Sequence, residues 1–257
     1  MEIGIVGFGV VGNVTFDILE LKHRIKISDP DKEVNDNLSE CEIIFICINE
    51  KDPTMKNLDK LIDDLVKINT KAFFVIRTTV IPGTTERYRE TYKRDFVFMP
   101  EFIREWNIEY DTFHPDKIVI GTENIKIWEI LYGMFSYFIE ADRIIRVKPI
   151  EAELAKLALN SLALIKVVFA EELNDLATVL NADYENIYKI FKFDQNINVR
   201  HLIPGKDGYR GADGKCLKKD SGFLTWSGRR KNNILNLLET ATMLNEIYLR
   251  VEKENDK

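Results

Sequence analysis

The sequence predicts an α/β fold, with a doubly wound parallel sheet over residues 1–150 and a long helix leading into a small, mainly helical domain over 151–257. Three observations carry that expectation. Short apolar, β-rich runs alternate with helix-like segments through the first half, the pattern of a parallel sheet with helices on its faces. A glycine fingerprint, Gly7-Phe8-Gly9-Val10-Val11-Gly12, stands between the first such run and the first helix-like segment. From Glu151 to about Thr178 the chain contains neither glycine nor proline and has apolar residues on nearly every helical face.

Residues 1–6 form the first strand pattern, and the fingerprint follows at once. Its glycines have separable roles: Gly7 permits a tight turn, Gly9 lets a pyrophosphate approach the backbone, and Gly12 lets helix and strand pack closely. The helix expected over about 11–21 offers free N–H groups and a partial positive charge at its start. Phe8, Val10 and Val11 therefore join the glycines as candidate cofactor contacts. A second strand over 24–28 ends at Asp29, placed to bind the adenosine ribose hydroxyls and to repel a 2′-phosphate. That favours NAD over NADP on a Rossmann-type sheet. A bare glycine turn without ligand is the alternative, and the strand, helix and acid around the motif weigh against it.

Further β-like runs lie at 42–48, 72–77, 95–99 and 117–121, with a helix over 58–68 between the first two. Ligands gather at the carboxyl ends of parallel strands. Three polar clusters fall there: Asn49-Glu50-Lys51, Thr78-Thr79, and the segment from Pro100 to Glu105. Glu101 and Glu105 are candidates for acid/base work or cofactor contact, or else are two solvated loop glutamates. The helix over 151–178 would span about 40 Å, more than a domain of this size needs for its own core. Apolar coverage of that kind predicts a homodimer interface. Lys156 and Asn160 are four apart and share a helical face. They are either an oxyanion-stabilising pair or a snorkelling lysine beside a solvated asparagine.

After Asn181 shorter helices lead to a glycine-rich stretch over 204–220, and a last helix is expected over about 232–252. The stretch delivers Cys216 between Lys215 and Lys219, whose charges would favour the thiolate. If a helix starts near Cys216, Asp220 shares its face. The pattern fits a covalent nucleophile with an acid/base helper, or a flexible basic loop with an incidental cysteine.

Composition narrows the setting. A net charge of −6 argues against nucleic acid. No apolar stretch reaches membrane-spanning length, and the N-terminus enters a strand pattern without a signal peptide. Three cysteines are too few for a disulfide framework. A cytoplasmic setting is therefore expected, with Cys41 and Cys47 as packing residues and no metal site.

Taken together, the motifs resemble one family, the UDP-glucose/GDP-mannose (nucleotide-sugar) 6-dehydrogenases. The matching segments are 7–12, 77–85, 100–105, 114–121, 151–160 and 205–220, in the family's order. The resemblance implies that a nucleotide sugar's primary alcohol is oxidised twice by NAD+ to the uronic acid. It gives Cys216 the nucleophile's place, and Lys156 and Asn160 that of the oxyanion pair. Asp220 matches the carboxylate that orients a water or lysine. Glu101 matches the acid/base for thioester hydrolysis, Thr79 a hydroxyl near the nicotinamide, and Glu105 a cofactor-side carboxylate. Two departures fall in the cysteine loop: Asp213 replaces a glycine that passes close to the sugar, and Lys218 replaces a proline. Family members also continue into a second α/β domain, so the expectation is a short form lacking the UDP-binding domain, with a separate UDP-binding polypeptide as a partner. Two alternatives accompany this reading: a single-step hydroxyacid-type dehydrogenase acting through Lys156, and a non-catalytic or degenerate NAD-binding relative.

Overall fold

A computed structural model describes every residue except Glu105, Trp106, Asp207, Asp256 and Lys257. It divides into two compact units, Met1–Lys156 and Leu157–Lys257.

The first unit is built on one sheet. Its strands are β1 (Glu2–Val6), β2 (Arg24–Asp29), β3 (Val34–Asn35), β4 (Ile43–Ile46), β5 (Phe73–Ile76), β6 (Phe96–Phe98), β7 (Ile118–Gly121) and β8 (Ile144–Val147). They lie in the order β3-β2-β1-β4-β5-β6-β7-β8. The helices between them are α1 (Val10–Leu19), α2 (Lys56–Ile68), α3 (Thr84–Tyr92), α4 (Ile108–Phe113) and α5 (Ile125–Phe135). Strands β2, β1, β4, β5 and β6 run parallel. The doubly wound sheet is as expected, and its parallel run is broken at two places: β3 is antiparallel to β2, and β7 is antiparallel to β6. At the first edge, Asp29 accepts the Asp31 N–H and Glu33 turns left-handed at φ 56°, which reverses the chain in a few residues. Central strands covered on both faces read as unbroken apolar runs; Ile43 to Ile46 and Phe74 to Ile76 are accordingly buried.

Helix α3 has no apolar stripe and buries only Thr84, Thr85 and Tyr88. Other elements hold it. The Tyr88 hydroxyl donates to Asp59 of α2 at 2.6 Å. At its start there is no side-chain cap from α3 itself or from Gly83. Instead Glu153, on helix α6 (Pro149–Val179), accepts from Gly83 N at 2.5 Å and from Thr85 N and Oγ1 at 2.9 and 2.6 Å. One buried carboxylate thus satisfies two amides that the helix leaves open. Gly121 permits α6 to begin against the sheet, since a Cβ there would meet Pro149 Cα at 2.9 Å.

The second unit is helical. It holds the remainder of α6 with α7 (Tyr184–Phe193), α8 (Lys215–Arg230) and α9 (Asn236–Asn255). Leu164, Ala212 and Leu238 form one apolar cluster, with Leu217 and Leu235 against it. Ala170, Tyr184 and Leu202 form another. The last helix begins at 236 rather than 232. Asn232 is left-handed at φ 55°, and the N–H groups of Lys231 and Asn233 both return to the Gly228 carbonyl at 2.9 Å. That closed turn ends α8 and delays α9. Among the described residues, no helix is long and apolar enough to cross a membrane.

Burial pushes the Glu153 carboxyl up to about 7, against the hydrogen bonds from Thr85 and Gly83. The folded chain therefore holds this proton more tightly than the unfolded chain. The resulting stabilisation is complete below about pH 4.5 and is lost as pH rises through about 7. Glu153→Gln, neutral throughout, should remove this dependence. In urea titrations the wild type should lose on the order of 2–3 kcal/mol relative to the variant between about pH 5 and pH 8. Parallel pH curves for the two proteins would contradict this assignment.

Candidate active site

At the first strand end the turn is tight. Gly7 sits at φ 87°, its N–H bonds Ser28 O at 2.9 Å, and a Cβ on it would meet the Cys47 carbonyl at 2.9 Å. A Cβ on Gly12 would lie 2.1 Å from Gly7 O, so only glycine lets α1 close on the turn. Around Gly9 a Cβ would meet nothing within 4 Å. Gly9 is the N-cap of α1 and no side chain caps the helix, so its first amides face outward beside the exposed Val10, with Val11 half-buried behind. This open cradle fits a dinucleotide pyrophosphate. Asp29 lies beside it, its Oδ2 accepting Phe8 N–H at 2.5 Å and its Oδ1 accepting Asp31 N–H at 2.9 Å.

The three polar clusters at the strand ends separate in character. Glu50 is buried and takes four donors: Lys51 N, Asp52 N, Asn57 Nδ2 and Leu58 N, all within 3.0 Å. Burial would raise its pKa, but these bonds outweigh burial and hold it below the usual carboxylate range. It fastens the start of α2. The Thr78 hydroxyl donates to Ile48 O at 3.0 Å, and Thr79 follows it half-buried. Glu101 pairs with Arg77, while its Oε1 accepts Phe102 N and Ile103 N at 2.8 and 3.2 Å. Glu105 lies outside the described residues. The Lys156 ammonium stands 5.3 Å from the centre of the Phe102 ring, which Lys117 also approaches, at 4.3 Å.

Sequence reasoning missed Arg77 as the partner of Glu101. A usable signal was present: an arginine closing an apolar strand must be paired if it is buried. Arg77 is buried, and burial lowers its pKa.

In the second unit, Asn160 Nδ2 donates to Asp220 Oδ2 at 2.6 Å, and Lys219 Nζ lies 2.9 Å from Asp220 Oδ1. Asp220 is 1% exposed. Cys216 is exposed, in the first turn of α8 behind the N-cap Gly214 and one turn before Asp220. Cys41 and Cys47 differ sharply: burial pushes both thiols up to about 11. The two departures in the cysteine loop face each other, with Lys218 Nζ 3.5 Å from Asp213 and 2.9 Å from Glu246.

Two family models match this chain. One, the NAD-binding domain of the UDP-glucose/GDP-mannose dehydrogenase family, matches residues 22–139; the other, the family's central domain, matches 150–247. The chain belongs to that family. The UDP-glucose 6-dehydrogenase of Rickettsia bellii is 28% identical over 232 residues, covering 86% of this chain and 51% of its own length. Among solved structures, the UDP-glucose dehydrogenase of Pyrobaculum islandicum has a TM-score of 0.81 at 22% identity, over 96% of this chain and 68% of that one. A Mycobacterium tuberculosis 3-hydroxyisobutyrate dehydrogenase reaches 0.76 at 12% identity, over 97% and 93%. At these identities the structural likeness shows the fold. The chain spans about half the length of the UDP-glucose 6-dehydrogenases it matches. The NAD-binding domain of the family and the open glycine cradle together make NAD the cofactor.

Because nothing surrounds a Cβ at Gly9, Gly9→Ala should leave the melting temperature unchanged. The methyl group would stand where the pyrophosphate approaches, so NAD+ affinity by calorimetry should fall about tenfold or more. Unchanged affinity would remove Gly9 from the cofactor site.

Proposed function

We propose that the protein oxidises the primary alcohol of a UDP-glucose-like nucleotide sugar to the uronic acid, through a covalent intermediate on Cys216. The observation that carries this reading is the Asn160–Asp220 hydrogen bond, with Asp220 one helical turn beyond an exposed Cys216. It joins two of the residues to which the family resemblance gives a catalytic role.

Bound NAD+ would supply the hydride acceptor for both oxidations. The Gly7–Gly12 turn and the α1 N-terminus would bind its pyrophosphate and Asp29 its ribose hydroxyls, while the family resemblance gives Thr79 a place near the nicotinamide and Glu105 the role of a cofactor-side carboxylate. At the first oxidation the alcohol's hydroxyl proton passes to the lysine or water that Asp220 orients, and Lys156 and Asn160 stabilise the oxyanion that develops on the sugar oxygen. The Cys216 sulfur adds to the carbonyl carbon of the aldehyde from the first oxidation, forming a thiohemiacetal. Loss of a second hydride leaves a thioester, and the hydroxyl proton passes to the lysine or water that Asp220 orients. Glu101, held by Arg77, takes a proton from the water that cleaves the thioester and frees the thiol. Each sugar consumes two NAD+ and one water. A reducing cytoplasm keeps Cys216 a thiol.

An assay over UDP- and GDP-sugars should yield two NADH per sugar with at least one of them. Cys216→Ser should lower acid formation by about a thousandfold or more. Acid made by that variant at the wild-type rate would sink the covalent route, and one NADH per sugar would favour a single oxidation.

We also propose a homodimer through α6. Leu162, Phe169 and Leu176 recur every seven residues and are each about half exposed, a row that a second helix covers well. Light scattering at micromolar concentration should report a dimer, and Phe169→Glu should shift it to monomer. A monomeric wild type would refute the interface.

A further inference from the structure

The backbone that leads into Cys216 is tied down by buried side chains from two different helices. Glu171 of α6 is 1% exposed; its Oε1 accepts Gly205 N and Gly211 N at 2.8 and 3.2 Å, and its Oε2 accepts Arg210 Nε at 3.1 Å. Arg210 continues to Asp175 at 2.7 Å and lies over the Tyr248 ring. Asn245 of α9, also 1% exposed, makes both amide bonds with Ala212: its Oδ1 accepts Ala212 N–H at 2.7 Å and its Nδ2 donates to Ala212 O at 3.0 Å. Gly211 is needed for that approach, because a Cβ there would stand 3.0 Å from Asn245 Oδ1. Beyond the loop, Leu217 packs on the cluster of Leu164, Ala212 and Leu238. Cys216 is therefore held between a doubly bonded Ala212 and an anchored Leu217.

We propose that Asn245 and Glu171 are positioning residues for Cys216, fixing the loop so that the thiol stays at the N-terminus of α8. The inference rests on the reading of Cys216 as the nucleophile. Buried groups are suited to this work, since the buried Ala212 amide would otherwise be left unpaired away from water. An amide paired with both backbone groups of one residue also specifies that residue's orientation, which apolar packing alone does not. Loss of the clamp would let the first turn of α8 fray. Cys216 would then lose the open helix amides that favour a thiolate there.

The test is the rate of Cys216 alkylation by iodoacetamide at neutral pH, followed by peptide mass spectrometry. In the folded wild type it should exceed the rate in the urea-unfolded chain by about fivefold or more. Asn245→Ala and Glu171→Gln should bring it close to the unfolded-chain rate. Asn245→Asp keeps the acceptor for Ala212 N–H and loses the donor, so it should fall between. Arg229→Ala, which breaks an exposed pair with Glu239 away from the loop, should label like the wild type. Folded Asn245 and Glu171 variants that label at the wild-type rate overturn the positioning role. If Asn245→Ala does not fold, Asn245→Asp and Glu171→Gln decide it. Wild-type labelling no faster than the unfolded chain overturns the nucleophile reading, and the positioning role with it.

Discussion

Buried and half-buried carboxylates that accept backbone N–H groups hold the loops of both units. Asp29 takes Phe8, Glu50 takes the start of α2, Glu101 takes Phe102 and Ile103, Glu153 takes the start of α3, and Glu171 takes Gly205 and Gly211. Withdrawing a carboxylate from water costs several kcal/mol unless hydrogen bonds replace the lost solvation. Glu50 and Glu153 show how finely that balance is struck. Four donors, one of them a side-chain amide, outweigh burial at Glu50 and keep it easily ionised. Three donors do not suffice at Glu153, where burial is complete and Glu86 adds a like charge. The geometry of the loops therefore depends on the count of donors each carboxylate receives.

Much of the first unit was legible because its signals are local. Apolar runs marked β1, β2, β4, β5, β6 and β7, and the positions of Gly7, Gly12 and Asp29 followed from a short glycine motif and the end of the strand after it. The bounds of α6 were readable for the same reason, from a long stretch without glycine or proline. Helix α3 escaped because its sequence is almost wholly polar and its stability comes from Asp59 and Glu153, residues distant in the chain. Strand β8 carries Arg146 in a four-residue element and shows no clear period. The antiparallel turn of β7 rests on a single register pair, Phe98 with Gly121, that no local pattern announces.

The candidate site divides along the same line. Residue types and spacing singled out Lys156, Asn160, Cys216 and Asp220. The partnership of Asn160 with Asp220, of Glu101 with Arg77, and of Ala212 with Asn245 joins positions between 24 and 60 residues apart. Such pairs are invisible to periodicity. The departures at Asp213 and Lys218 also gain a physical reading, since the added carboxylate and the added ammonium lie 3.5 Å apart. Both are partly exposed, so the pair contributes at most about 1 kcal/mol. Its consequence is local: the charge at Asp213, near Cys216, is matched by Lys218 within the same stretch of chain.

The chemistry turns on whether Cys216 carries the oxidised sugar. Mass spectrometry of the intact Glu101→Gln protein, incubated with NAD+ and a UDP-sugar that the wild type oxidises, tests this most directly. With thioester hydrolysis slowed, the uronosyl adduct should accumulate and map to the peptide containing Cys216. NADH formation with Cys216 unmodified throughout would contradict a covalent route.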